Sequence, residues 1–270
     1  MLRPETLKSY PAELSLESPL GSFSVPLDRT AIVAAPFDVL WVTVKETQLE
    51  AALGTVKVPP DQLGAVVPLL NGMDHVPLLR ARFGHDRVVP GTIAVEAERA
   101  APGKIIHRGM SIRLTLSSIG ESRLASTLEE FRKFGFTCQF APDETKMLWT
   151  KLSFLAPFAL TTTAAALNIG DVNRDPEWRK RLEAVVREVA AVGTASGAPL
   201  DPALILSFFD KTPQGGRSSM QKDVAAGNPP ELEGIAGPIL RRAEEYGIDV
   251  PVTRELAGMI RGKSAAAMRP

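Results

Sequence analysis

The chain reads as an α/β domain followed by an all-helical one, and three observations predict this. Two short apolar runs, 38–44, rich in β-branched residues, and 64–70, have the character of buried strands, the first on both faces. Strand and short-helix patterns alternate around them, as in an α/β sheet. From Pro142 onward only helical patterns follow. A boundary near residue 141 then separates a domain of residues 1–141 from one of residues 142–270, with no internal repeat.

Taken in order, the first strand run ends at Lys45 and leads into a short helix over residues 47–53. After Pro59-Pro60 the second strand run is closed by the turn pair Asn71-Gly72. A helix near 76–83 and a strand near 88–95 continue the alternation. Ala101-Pro102-Gly103 reads as a hairpin turn from that strand to residues 104–108, with 111–117 a further strand. Asp143 can cap a helix that starts near Glu144 and runs to Leu167, and further helices are expected over 176–196, 202–209, 219–226 and 230–246. Pro229-Pro230 suits a first helical turn and Gly247 a C-terminal cap, and Pro251 opens a last helix to about Arg261.

Composition narrows the class. With 44% hydrophobic and 23% charged residues the chain is expected to be a soluble globular protein. Lys plus Arg equals Asp plus Glu at 31 each, so no global field draws it to nucleic acid or anionic lipid. The single Cys138 cannot form an internal disulfide and is expected as a small buried side chain. Three scattered histidines give no metal-ligand spacing. Residues 152–170 carry no charge, but Ser153, Pro157 and Thr161 to Thr163 interrupt them, which favours a helix buried between protein layers over a membrane span. The first residues hold no apolar core of a signal peptide, so a cytoplasmic enzyme or binding protein is expected.

Several residues stand out chemically. Lys45 and Asn71-Gly72 occupy the carboxyl ends of consecutive strands, where open α/β sheets bind ligands, although an exposed lysine and an ordinary turn account for each alone. Lys151 lies in a segment so apolar that its ammonium must snorkel out, pair with a carboxylate, or face a polar cavity. Burial would lower its pKa and make it a usable proton donor near neutrality. Glu231 follows two prolines at a helix start, where the dipole favours a carboxylate, and Ser219 is placed to cap a helix.

One set of stretches recurs in order along the chain. In the first half it comprises Ser18-Pro19-Leu20-Gly21, Val44-Lys45 with Gln48, Leu70-Asn71-Gly72-Met73, Gly91-Thr92 with Ala97, and Pro102-Gly103 with His107. In the second it comprises Trp149-x-Lys151-Leu152, Ser218-Ser219-Met220-x-x-Asp223, Glu231, Gly237 and Gly247-Ile248-x-x-Pro251. This ordered set resembles the ketopantoate reductase (2-dehydropantoate 2-reductase) family over nearly the whole length.

The resemblance implies an incomplete Rossmann-like dinucleotide-binding domain followed by a helical substrate and dimerisation domain, with a homodimer as one expected assembly. It implies NADPH-dependent reduction of ketopantoate or a related 2-oxo acid. Lys151 would be the general acid at the C2 oxygen. Asn71 would bridge nicotinamide and substrate, and Ser219 would hold the substrate carboxylate. Glu231 would lie near both the cofactor and the distal hydroxyl, while Lys45 and the backbone at Ala97 would line the cofactor crevice.

Departures from the family pattern set a second expectation. The asparagines the family presents four and eight residues after the lysine are Leu155 and Ala159 here, and a third, before the serine, is Gly216. Apolar side chains at such positions point to a more hydrophobic 2-oxo acid or to weak activity. The family's first βαβ segment with its G-x-G-x-x-G turn does not appear, so weak NADPH binding by the chain as given is expected. Arg3 would match the basic residue that contacts the NADP 2′-phosphate. The alternative reading is a non-catalytic family member that has lost NADPH and acts as a binding or interaction protein.

Overall fold

The structure is a computed structural model that describes residues 4–267, so Arg3 lies outside the described residues. The chain divides into two compact units: residues 1–44, 48–70 and 75–144 form one, and residues 45–47, 71–74 and 145–270 the other. Lys45 and Asn71 therefore belong to the helical unit, although the strands that precede them belong to the α/β unit.

In chain order the α/β unit starts with α1 (Pro4–Leu7), β1 (Glu13–Glu17), β2 (Phe23–Pro26), β3 (Phe37–Val42), α2 (Leu49–Gly54) and β4 (Leu63–Pro68). It continues with α3 (His75–Phe83), β5 (Gly91–Ala94), β6 (Ala97–Ala101), β7 (Lys104–His107), β8 (Ile112–Ser117), α4 (Glu121–Lys133) and β9 (Phe136–Ala141). Strands β3 and β4 pair in parallel, β5-β8-β9 form a three-stranded sheet, and β2-β1-β7-β6 form a four-stranded one. Along β4 the side chains alternate between two cores, as a strand's period of two requires. Val66 packs with Leu49, Leu79 and Phe83, whereas Ala65 and Val67 pack with Leu114, Leu124 and Leu128. A buried strand is what the apolar run 64–70 predicts.

Four sequence expectations need correction in this unit. Run 38–44 was expected to be buried on both faces; Val39 and Trp41 do pack on one core and Leu40 and Val44 on the other, yet within β3 only Val42 is buried and the rest stay partly exposed. Among the described residues β3 is paired along one edge alone, and an apolar run does not reveal whether its strand is central or lateral. The strand expected over 88–95 shrinks to β5, because Pro90 cannot donate to a ladder; Val88 and Val89 instead bridge to Val66. The hairpin through Pro102-Gly103 joins β6, a separate strand, to β7. Helix α4 has no counterpart in the sequence reading, although Leu124, Leu128 and Phe131 follow the helical period onto the core.

Cys138 is a free thiol buried in this core, and burial pushes its pKa up. It is the inert apolar side chain expected of it.

The helical unit contains α5 (Glu144–Ala165), α6 (Ile169–Arg174), α7 (Pro176–Ala195), α8 (Pro202–Lys211), α9 (Ser219–Ala225), α10 (Leu232–Tyr246) and α11 (Pro251–Ala267). Side chains cap four of them: Asn168, Asp175, Asp201 and Ser218 accept backbone N–H groups of α6, α7, α8 and α9. Glu188 on α7 does the same across the fold, accepting from the N–H groups of Val252 and Thr253 at the head of α11. Most of α5 beyond Lys151 is buried, and Phe154 and Phe158 pack on a core of Ile169, Leu182, Val186 and Phe209. No helix among the described residues is long and apolar enough to cross a membrane. Gly247 ends α10 with φ 64°, the left-handed cap expected of it. Helix α11 runs on to Ala267, beyond the stop expected at Arg261.

Candidate functional site

The candidate site is assembled within the helical unit from α5, α9, the head of α10 and two short loops, 45–47 and 71–74. These loops leave the parallel strands β3 and β4, whose last residues, Val42 and Pro68, are register partners. Both chains thus turn away at the same level.

Glu231 is the hub. It stands immediately before α10, which begins at Leu232 rather than at Pro230, and its side chain makes no capping hydrogen bond. The carboxylate instead accepts the backbone N–H of Glu46 at 3.1 Å and Asn71 Nδ2 at 3.3 Å. It is 6% exposed, so its charge is only weakly screened by solvent. Of the sequence's two expectations, its place at the helix head holds, while the hydrogen bonds of its carboxylate go to other segments. Glu46 feels this charge: burial first, then Glu231, pushes its carboxyl pKa up.

Lys151 lies on α5, where its side chain keeps a sliver of exposed surface although protein surrounds it densely. Desolvation pulls its pKa down to about 8, and the Glu231 carboxylate works in the opposite direction. Among the described residues the ammonium makes no hydrogen bond, so the surface ion pair that the sequence allowed is not formed. One and two turns further along α5, Leu155 is half-buried and Ala159 is 1% exposed.

Lys45 is 41% exposed at its side chain and donates to Asp223 Oδ1 at 2.7 Å. Asp223 lies four residues after Ser219 on α9, hence on the same helical face. Ser219 itself is exposed at the first position of that helix. The capping duty assigned to it belongs to Ser218, which accepts from Gln221 N–H at 3.1 Å and shares a 2.9 Å hydrogen bond with Thr162. Among the described residues the Ser219 hydroxyl makes no hydrogen bond. Gly216 closes the preceding turn, with its N–H on Pro213 O and its carbonyl accepting from Ile169.

The structure thus brings Lys45, Asn71, Lys151 and Glu231 into one unit with Ser219. Ala97 belongs to the α/β unit, where it opens β6 opposite His107. Sequence reasoning gave no role to Asp223 or Glu46; the i, i+4 spacing of Ser219 and Asp223 was the available signal for the first. No cluster of metal-ligating side chains occurs among the described residues.

Comparison with known proteins places this arrangement. Residues 7–121 match the family described as ketopantoate reductase PanE/ApbA, and residues 143–264 match its C-terminal domain. The 2-dehydropantoate 2-reductase of Caulobacter vibrioides is 28% identical over 261 residues, covering 94% of this chain and 87% of that protein. The enzyme of the same name from Halobacterium salinarum is 27% identical over 235 residues, covering 85% of this chain and 77% of that protein. The fold is shared with a PanE/ApbA family ketopantoate reductase from Ralstonia eutropha JMP134, at a TM-score of 0.85 and 24% identity over 99% of this chain and 90% of that one. It is shared too with D-mandelate dehydrogenase bound to NADH and anilino(oxo)acetate, at a TM-score of 0.83 and 19% identity over 97% and 88%. These likenesses confirm a Rossmann-like α/β part and a helical C-terminal domain. With both halves matched in sequence order and the fold held in common along almost the whole chain, this protein belongs to the ketopantoate reductase family.

Proposed function

We propose that the chain is an NADPH-dependent reductase of 2-oxo acids, acting on ketopantoate or a close analogue, with Lys151 as proton donor. The observation that carries this reading is the Lys151 ammonium, which has a pKa near 8 and, among the described residues, no hydrogen-bond or ion-pair contact. A donor poised near neutral pH and left unsatisfied by its own fold is what protonation of a carbonyl oxygen requires. The relatives named above are oxidoreductases, and they lend the non-catalytic reading no support.

The polar groups left over fit a nicotinamide cofactor and an oxo acid. Glu231 claims Asn71 Nδ2 and so turns Asn71 Oδ1, an acceptor, toward other partners. Lys45 is half-exposed despite its ion pair. Lys45, Asn71 and Glu231 would hold the cofactor, which when bound supplies hydride to the carbonyl carbon.

The chain's own residues do the rest. Lys151 donates a hydrogen bond to the carbonyl oxygen and releases its proton there, while the Ser219 hydroxyl donates to the carboxylate. Glu231 favours the charged lysine beforehand and orients Asn71 through the hydrogen bond they share. A homodimer in the cytoplasm is part of the same proposal; a related ketopantoate reductase from Staphylococcus aureus is described as dimeric. Steady-state oxidation of NADPH, with NADH for comparison, in the presence of ketopantoate or trimethylpyruvate tests the reading. Absence of turnover with either acid would remove it.

A further inference from the structure

Loop 71–74 is fastened to α10 at three points. At its start Asn71 Nδ2 donates to Glu231 at 3.3 Å. In the middle Gly72, at φ +79°, lies so close to the helix that a Cβ there would stand 1.9 Å from the Gly234 carbonyl oxygen. At its end Asp74 accepts from Arg241 and, at 3.3 Å, from Arg242 Nη1. Arg242 in turn lies over the ring of Trp149, 5.9 Å from its centroid. Trp149 is 1% exposed and sits two residues before Lys151 on the same helix.

We infer that Asp74 and Arg242 are positioning residues, a brace that runs from the Asn71 turn through Arg242 to Trp149 and sets Asn71 against Lys151. The inference rests on the roles proposed for Asn71 and Lys151. Its physical basis is that hydride transfer needs the cofactor held at Asn71 and the carbonyl held at Lys151 in register, while the two side chains stand on separate segments, a loop tip and a long helix. A misplacement of the loop tip by about 1 Å can cost on the order of a hundredfold in rate. An ion pair that also stacks on a buried ring restrains the loop from its far end. The planar guanidinium suits both contacts, as an ammonium would not.

The test is a double-mutant cycle in the full chain, with Asp74→Ala, Asn71→Ala and the combined variant assayed for ketopantoate reduction by NADPH. Asp74→Ala is expected to lower kcat about tenfold with KM within about twofold, since orientation rather than affinity is lost. In the Asn71→Ala background the same change should cost less than about twofold. Equal losses in both backgrounds overturn the brace, as does an unchanged kcat in Asp74→Ala. Arg242→Lys should reproduce most of the loss; full activity there overturns the Trp149 limb. If Asp74→Ala does not fold, Asp74→Asn takes its place in the cycle. If the unsubstituted chain reduces no 2-oxo acid, the proposed reaction has failed and hydrogen exchange decides the brace. Amides of Gly72 and Met73 exchanging at least about tenfold faster in Asp74→Ala uphold it, and unchanged exchange overturns it.

Discussion

The Glu231 carboxylate opposes the burial that draws the Lys151 ammonium down to a pKa of about 8, so the proton affinity of a residue on α5 depends on a carboxylate at the head of α10. This coupling, and the loops that Glu231 gathers around it, generate most of what can be tested.

Replacing Lys151 by Ala is expected to reduce kcat by about 10² or more, the usual scale for a positioned acid. In the unsubstituted chain reduction should slow as pH rises through about 8, where the ammonium loses its proton. The same shift affects stability. A lysine whose folded pKa lies below its usual 10.5 binds fewer protons folded than unfolded between about 8 and 10.5, so stability should rise with pH across that window. Thermal midpoints of the chain and of Lys151→Met over that range check the sign. A falling midpoint attributable to Lys151 would contradict it.

Glu231→Gln should shift the alkaline limb of kcat to lower pH, because the one carboxylate that raises the Lys151 pKa is gone. The pH profile of this variant decides it. A limb that stays in place or moves upward would show that Glu231 does not govern the lysine.

Glu46→Gln should stabilise the protein at pH 7. The folded-state pKa of Glu46 is raised by burial and then by Glu231, so its contribution to stability is full below about 4.5 and is lost as pH rises through the raised value. An increase in Tm of about 1–3 °C at pH 7, shrinking as the pH approaches 4.5, is the expected outcome. A lower Tm at pH 7 would refute it.

Gly72→Ala should destabilise the chain by at least about 2 kcal/mol, combining a left-handed backbone with a clash against main-chain oxygen. The added Cβ would stand 1.9 Å from Gly234 O, and no side-chain rotation can relieve that contact. Urea unfolding measures it; a loss below about 0.5 kcal/mol would mean that the turn yields easily.

Substrate choice should lean away from a hydroxylated tail. Half-buried Leu155 and buried Ala159 follow Lys151 along α5, and desolvating a hydroxyl against them without a partner costs roughly 1–3 kcal/mol. The comparison is kcat/KM for ketopantoate against trimethylpyruvate, which lacks the hydroxyl. A preference for ketopantoate of about a hundredfold or more, the scale of a satisfied polar contact, would show that Glu231 and Ser219 suffice for recognition.

Local chemistry made much of this protein legible in its sequence. The buried run that became β4, the uncharged stretch that fills the later turns of α5, the prolines that open α7 and α8, and Gly247 all declare themselves through short-range rules of period, capping and backbone sterics. Lys151 was conspicuous for the same reason, as one charge at the edge of an apolar segment. What only the tertiary structure decided are relations between distant segments. That Ser218 and not Ser219 caps α9 depends on a neighbouring hydroxyl at Thr162, and that Glu231 turns from its own helix toward Glu46 and Asn71 depends on two loops far away in sequence. Periodicity likewise could not tell the partly exposed β3 from the mostly buried β4, since both runs read as buried strands and burial is set by what covers them. A sequence shows which groups are available and which backbone states they favour; partner, burial and charge environment belong to the folded chain, because they arise from contacts that the chain makes with itself only after closing long loops.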